Sequence, residues 1–173
     1  MADREGEEEM RKLVILAVVL VGLVVSASGQ GPSTPSRPFV VKSRQQVSDI
    51  TKEIAAKDGN QQSDVFAASG TQMRVAVFHD EIRENDLHEV HDGSDDVYYV
   101  LDGEATLILG GSLIEPNQVS PGEWRAKSAT GGQKVVIKKG DLVVVPRGTP
   151  HQRTVTGKGF SMILIKVFET KQP

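Results

Sequence analysis

The rhythm of the chain after Thr71 most constrains what it can fold into. Apolar residues there recur at period two, in runs too short for helices. Met73, Val75, Val77 and His79 share one face of the first run, expected to be the interior one, and Arg74, Ala76 and Phe78 share the other. Strand-like runs follow at 97–101, 105–109, 135–138, 142–145 and 162–168. Turn signals separate them: Asp92-Gly93, Asp102-Gly103, Gly110-Gly111, Gly131-Gly132, Gly140-Asp141 and Gly157. Many short strands with no helix between them predict an all-β sandwich or barrel. No repeat of roughly 20–50 residues is visible, which excludes propellers and solenoids. Residues 112–133 break the rhythm and read as one long connection carrying Trp124, which either closes over a ligand or anchors the loop.

Ahead of the strands the chain divides into three. Residues 43–57 predict one short helix, with Val47, Ile50 and Ile54 at helical spacing, Ser43 and Gln46 as a capping box and Gly59 as the stop. Residues 30–42 form a linker with Pro32, Pro35 and Pro38, in which 39–41 is a candidate for a strand exchanged between subunits. Met10-Arg11-Lys12, an apolar run over 13–25 and the small residues Ser26-Ala27-Ser28-Gly29 make a secretory signal peptide. The run is shorter than the roughly 20 residues a spanning helix needs. The chain is therefore expected to be exported, periplasmic or secreted, with its mature start near Gln30 and no membrane contact after cleavage. The acidic prefix 1–9 sits badly before such a signal, so Met10 is the expected start of translation. The barrel domain is expected over 43–173.

Two exclusions follow from composition. With no cysteine, disulfides, thiolate zinc sites and thiol nucleophiles are ruled out. A formal net charge of −3 supplies no basic field for nucleic acid.

The chemistry concentrates in two stretches. The first runs His88-Glu89-Val90-His91-Asp92-Gly93-Ser94-Asp95-Asp96-Val97-Tyr98-Tyr99-Val100-Leu101-Asp102-Gly103. In a strand, residues two apart point the same way, so Glu89 and His91 share a face and His88 takes the other. Asp96 follows a turn and can approach His91 from a neighbouring strand. The second stretch runs Gly140-Asp141-Leu142-Val143-Val144-Val145-Pro146-Arg147-Gly148-Thr149-Pro150-His151. Only a fold that returns on itself brings His151 to the others. The resulting oxygen and nitrogen donor set suits Fe(II), Mn(II), Zn(II) or Ni(II).

These stretches resemble the paired signatures of the cupin superfamily. The second motif is matched by Gly140, Pro146, Gly148 and His151, and the tail of the first by Tyr99-Val100-Leu101 and Gly103. The resemblance implies a double-stranded β-helix (a jelly-roll barrel), one divalent metal ion and a homodimer. It carries a ligand role to His91 and His151 directly, to Asp96 where the family has Glu, and to Glu89 where the family has His. The implied set is Glu89, His91, Asp96 and His151. Its two carboxylates favour Mn(II) or Fe(II).

The expected function is a metal-dependent enzyme of oxygenase, isomerase or lyase type acting on a small polar molecule outside the cytoplasm. The alternatives are a non-catalytic cupin holding a metal or small ligand, and a metal-free barrel. Glu89, His79 and Tyr99 are the candidate catalytic groups. Glu89 or His79 would act as base, and a tyrosine would position substrate. Tyr98 and Tyr99 alternate, as do Gln152 and Arg153, so one of each pair faces inward.

Overall fold

The computed structural model describes residues 37–172. The signal peptide, the prefix and most of the Pro-rich linker lie outside the described residues. Helix α1 spans Arg44–Ala55. Twelve strands follow: β1 Gln61–Ala67, β2 Met73–Asp80, β3 His88–His91, β4 Ser94–Leu109, β5 Ser112–Ile114, β6 Asn117–Ser120, β7 Glu123–Ala126, β8 Ser128–Thr130, β9 Gln133–Lys138, β10 Leu142–Val145, β11 His151–Thr154 and β12 Phe160–Phe168.

Two antiparallel layers form the barrel. One runs β1-β2-β12-β4-β10 and the other β9-β4-β11-β3-β7-β6. Strand β4 belongs to both. Its first part, to Gly103, pairs with β12, and its last six residues pair with β9. The architecture is a jelly-roll barrel with, among the described residues, one short helix; the period-two rhythm predicts a sandwich or barrel, and the resemblance implies the jelly roll. The predicted runs 97–101 and 105–109 are one bent strand rather than two. The bend falls at Gly103, where φ is +77° and a Cβ would lie 2.2 Å from the Gly159 carbonyl oxygen. Only glycine meets both conditions. A register shift opposite it, between Ser161 and Met162, reverses which residues face inward. Before the bend Asp96, Tyr98 and Val100 are buried, and after it Ala105 and Leu107.

The core lies between the layers. Leu107, Val100, Val155, Phe160 and Met162 are fully buried there. Each such side chain contributes about 1.5–3 kcal/mol by leaving water.

Helix α1 begins with the predicted capping box: the Gln46 N–H donates to Ser43 Oγ at 3.2 Å, and the Ser43 N–H donates to Gln46 Oε1 at 2.9 Å. The helix packs on β1 and β2 and buries Ile54. This cover corrects the reading of β2. Ala76 and Val77 are both fully buried although they point to opposite faces. Phe78 faces the barrel cavity, and Asp80, two residues on, pairs with Arg153 of that cavity. The Met73, Val75, Val77 and His79 face is therefore the outer one. Because α1 covers part of it, it carries the same apolar residues a barrel interior would.

The stretch 112–133 is also more ordered than a loop. It folds as two pairings, β5 with β8 and β6 with β7, and β7 continues the second layer beside β3. The Trp124 Nε1–H donates to Asp92 Oδ2 at 2.7 Å, so this side chain anchors the excursion to the barrel.

Candidate metal centre

Strand β3 lies between β7 and β11, and register alone assembles most of the site. Glu89 is directly opposite His151 on one side and Arg125 on the other, and His91 is opposite Glu123. Residues directly opposite in an antiparallel pair project to the same face. One donor atom from each of Glu89, His91 and His151 lies within 4.8 Å of the other two, and the two imidazole rings are 5.1 Å apart. An ion bonded at about 2.0–2.2 Å places tetrahedral donors about 3.4 Å apart, so binding one would draw these side chains inward.

The tautomers of both histidines are fixed by acceptors behind them. His91 Nδ1 lies 2.6 Å from Glu123 Oε2, and His151 Nδ1 lies 2.9 Å from the Thr149 carbonyl oxygen. A carboxylate and a carbonyl only accept, so each Nδ1 carries the proton and donates it. Each neutral ring then presents an Nε2 lone pair, the form that binds a metal. Burial lowers the pKa of His151, outweighing the Thr149 carbonyl, and so favours that neutral form. The donor set, two nitrogens and one carboxylate, fits a divalent ion of the Fe(II), Mn(II), Zn(II) or Ni(II) class.

Asp96 reaches this trio from the opposite layer rather than along a shared ladder. Its Oδ2 is 3.6 Å from His91 Nε2 and 4.0 Å from His151 Nε2. Its other oxygen is 2.7 Å from Nζ of Lys166, its cross-strand neighbour. The Tyr98 hydroxyl donates to Oδ2 at 3.3 Å. Asp96 thus stands at the site already paired with a cation. Glu89 is similarly held, with Arg125 Nη2 at 2.9 Å and Arg83 Nη2 at 3.8 Å.

These groups line a cavity of about 260 Å³ together with Phe78, Leu164 and Arg153. Two candidates lie outside it. Tyr99 is 45% exposed on the outer face, because Tyr98 takes the inward position of the alternation. His79 hydrogen-bonds Ser161 Oγ at 2.9 Å and lies beside Thr51 and Ala55 of α1, on the covered outer face of β2. His88 is buried, and that burial lowers its pKa, but it is not part of the converging trio. Sequence reasoning missed Glu123, Arg125, Arg83 and Lys166 as site residues. The one available signal for them was alternation, and their partners are set by pairings with distant strands.

The second motif is clamped to the first. Arg147 grips Asp95 through its backbone N–H at 2.8 Å and its side chain at 3.2 and 2.9 Å. The Gly148 N–H donates to the His91 carbonyl at 2.8 Å. These contacts set the loop that delivers His151. The Arg147 side chain and backbone N–H lower the Asp95 pKa from 3.8 to about 2. A depressed carboxylate pKa gives stability that is present above the unfolded value and lost as pH falls through the folded one. The urea midpoint of the wild type should therefore exceed that of Asp95→Asn at pH 6. The gap should shrink between pH 4 and pH 2, and a gap constant across that window would contradict this account.

No family model matches the chain, and no curated protein matches it. Several solved structures resemble it. TT1209 from Thermus thermophilus is 18% identical, over 78% of this chain and 100% of that one, with a TM-score of 0.48. KdgF from a Halomonas species is 17% identical, over 64% and 82%, with a TM-score of 0.44. A Streptomyces Pac13 variant with uridine is 16% identical, over 64% and 71%, with a TM-score of 0.44.

Proposed function

We propose that this chain is an exported, metal-dependent enzyme acting on a small polar molecule, with Glu89, His91 and His151 as the metal ligands. One observation carries the reading: both histidines have their Nδ1 protons engaged from behind, leaving two Nε2 lone pairs converging with a carboxylate. Three protein donors beside a cavity of about 260 Å³ leave coordination positions for a ligand, as catalytic sites do and closed structural sites do not. A divalent ion held there would act as a Lewis acid toward substrate oxygens. The oxygenase, isomerase and lyase classes share that need.

The protein's own groups perform the rest. Glu123 orients His91, and Arg125 and Arg83 orient Glu89. Phe78, Leu164 and the Tyr98 ring wall off bulk water. Burial raises the Tyr98 pKa, so its hydroxyl stays protonated as a donor toward Asp96. Lys166 neutralises Asp96. Glu89 is the carboxylate placed to accept a proton from a ligand at the trio.

Elemental analysis of protein purified without added metal tests the site. Close to one ion per chain is expected in the wild type and clearly less in Glu89→Ala. Substoichiometric metal that the substitution leaves unchanged would sink the reading.

A homodimer is part of the same proposal. Its support is a contiguous apolar outer face: Leu142 pairs with Tyr99, and Val167 with Met73, and all four are at least 38% exposed. Phe39, Val40 and Val41 are exposed as well. Such a face on a single copy is larger than scattered surface apolar residues and favours a second copy as its cover. Sedimentation should give twice the chain mass, and Leu142→Lys with Val144→Lys should halve it. Export predicts a mature protein beginning near Gln30, read by intact mass from the extracytoplasmic fraction; an unprocessed chain in the cytoplasm argues against it.

A further inference from the structure

Arg153 is buried in the cavity wall with most of its guanidinium unused. Two residues after His151 on β11, it projects to the same face. Its side chain is only 10% exposed, and its Nε donates to Asp80 Oδ2 at 2.7 Å. Its guanidinium carbon sits 5.9 Å from the Tyr98 ring centre and 6.0 Å from that of Phe160, which fixes its orientation. Neither terminal nitrogen makes a hydrogen bond among the described residues. The other cations of the wall are engaged: Arg125 with Glu89 and Glu123, Arg83 with Asp80, Asp86 and Glu89, and Lys166 with Asp96. The fork therefore opens on the cavity with no protein acceptor to displace, so a ligand there can take both terminal nitrogens.

Charge points the same way. Arg83, Arg125, Arg153 and Lys166 face Glu89, Asp96 and Glu123 of the wall and Asp80 and Asp86 behind it, four against five. A divalent ion at the trio leaves the pocket at +1, an excess that one carboxylate of a ligand would neutralise. The cavity of 260 Å³ holds about nine waters at ~30 Å³ each, so that ligand is small.

We infer that Arg153 is the anion-binding residue of this pocket and that the ligand is a small organic acid. Its carboxylate lies on the two terminal nitrogens of Arg153, and its other oxygens face Glu89, His91 and His151. The planar fork matches a carboxylate in two parallel hydrogen bonds. The second half of this assignment rests on the metal-site reading above; the first half does not.

The test is calorimetric titration of Mn(II)-loaded and metal-stripped protein with acetate, malonate, succinate and glutarate. Malonamide, succinamide and inorganic phosphate serve as controls. Arg153→Lys keeps a cation beside Asp80 but loses the fork, and the paired Asp80→Leu/Arg153→Met removes both charges should the first variant fold poorly. At least one acid should bind the wild type below ~1 mM. That affinity should fall by about tenfold or more in the variant that folds, the diamides should not bind, and the metal content of Arg153→Lys should stay at the wild-type level. Overturning results are no acid bound at 10 mM (about ten times that ~1 mM bound), binding that both variants retain, or phosphate bound more tightly than every acid. Metal absent from the wild type would refute the metal site instead, and the titrations of stripped protein would still decide the role of Arg153.

Discussion

Replacing His91 and His151 together by alanine should abolish metal binding and, with it, the metal's contribution to stability. The two rings supply two of the three converging donors, and the remaining carboxylate, Glu89, is already held by Arg125. A ligand present at a thousand times its Kd stabilises a folded protein by about 4 kcal/mol. For a barrel of this size that corresponds to roughly 10–15 °C in melting temperature. Wild-type protein with excess Mn(II) should therefore melt that much higher than the same protein in EDTA, and the double variant should melt at one temperature in both. In EDTA the two proteins should lie close together, because both rings sit at a cavity rather than in the packed core. If the double variant keeps its metal content and its melting response, the protein holds no ion at these histidines.

The parts of this structure legible in the sequence are those set by local chemistry. Gly103 is needed where a strand bends past another backbone, and Gly148 where a loop closes on the His91 carbonyl. Ser43 and Gln46 cap a helix three residues at a time. Glu89 and His91 share a face because they are two apart. Illegible residues are those whose environment is set by a distant strand. Alternation puts His79 in a row that reads as interior, because α1 makes the outer row of β2 apolar too. Tyr98 and Tyr99 alternate, but alternation does not say which one faces in. Glu123, Arg125 and Lys166 are charged residues on strands, which read as solvated surface. They are functional candidates only because register sets them against His91, Glu89 and Asp96.

Asp80→Ala should be among the most destabilising single substitutions in the barrel, costing about 3–5 kcal/mol. Asp80 is 1% exposed, and its two oxygens face Arg153 and Arg83. Removing it leaves the Arg153 charge buried without a counter-ion. Burial is the largest influence and works against that charge; Asp80, together with Tyr98 and Glu89, offsets it and keeps the Arg153 pKa above its ordinary value. Urea denaturation of Asp80→Ala should show the loss in its midpoint with little change in slope. A loss below about 1 kcal/mol would mean that water entering the cavity already solvates the guanidinium. The paired Asp80→Leu/Arg153→Met should recover most of the loss, because exchanging a buried ion pair for apolar side chains is often neutral or stabilising. That comparison separates stability from use. An ion pair that apolar residues can replace without loss of stability is not required by the fold, and its guanidinium then has its role in what the cavity binds.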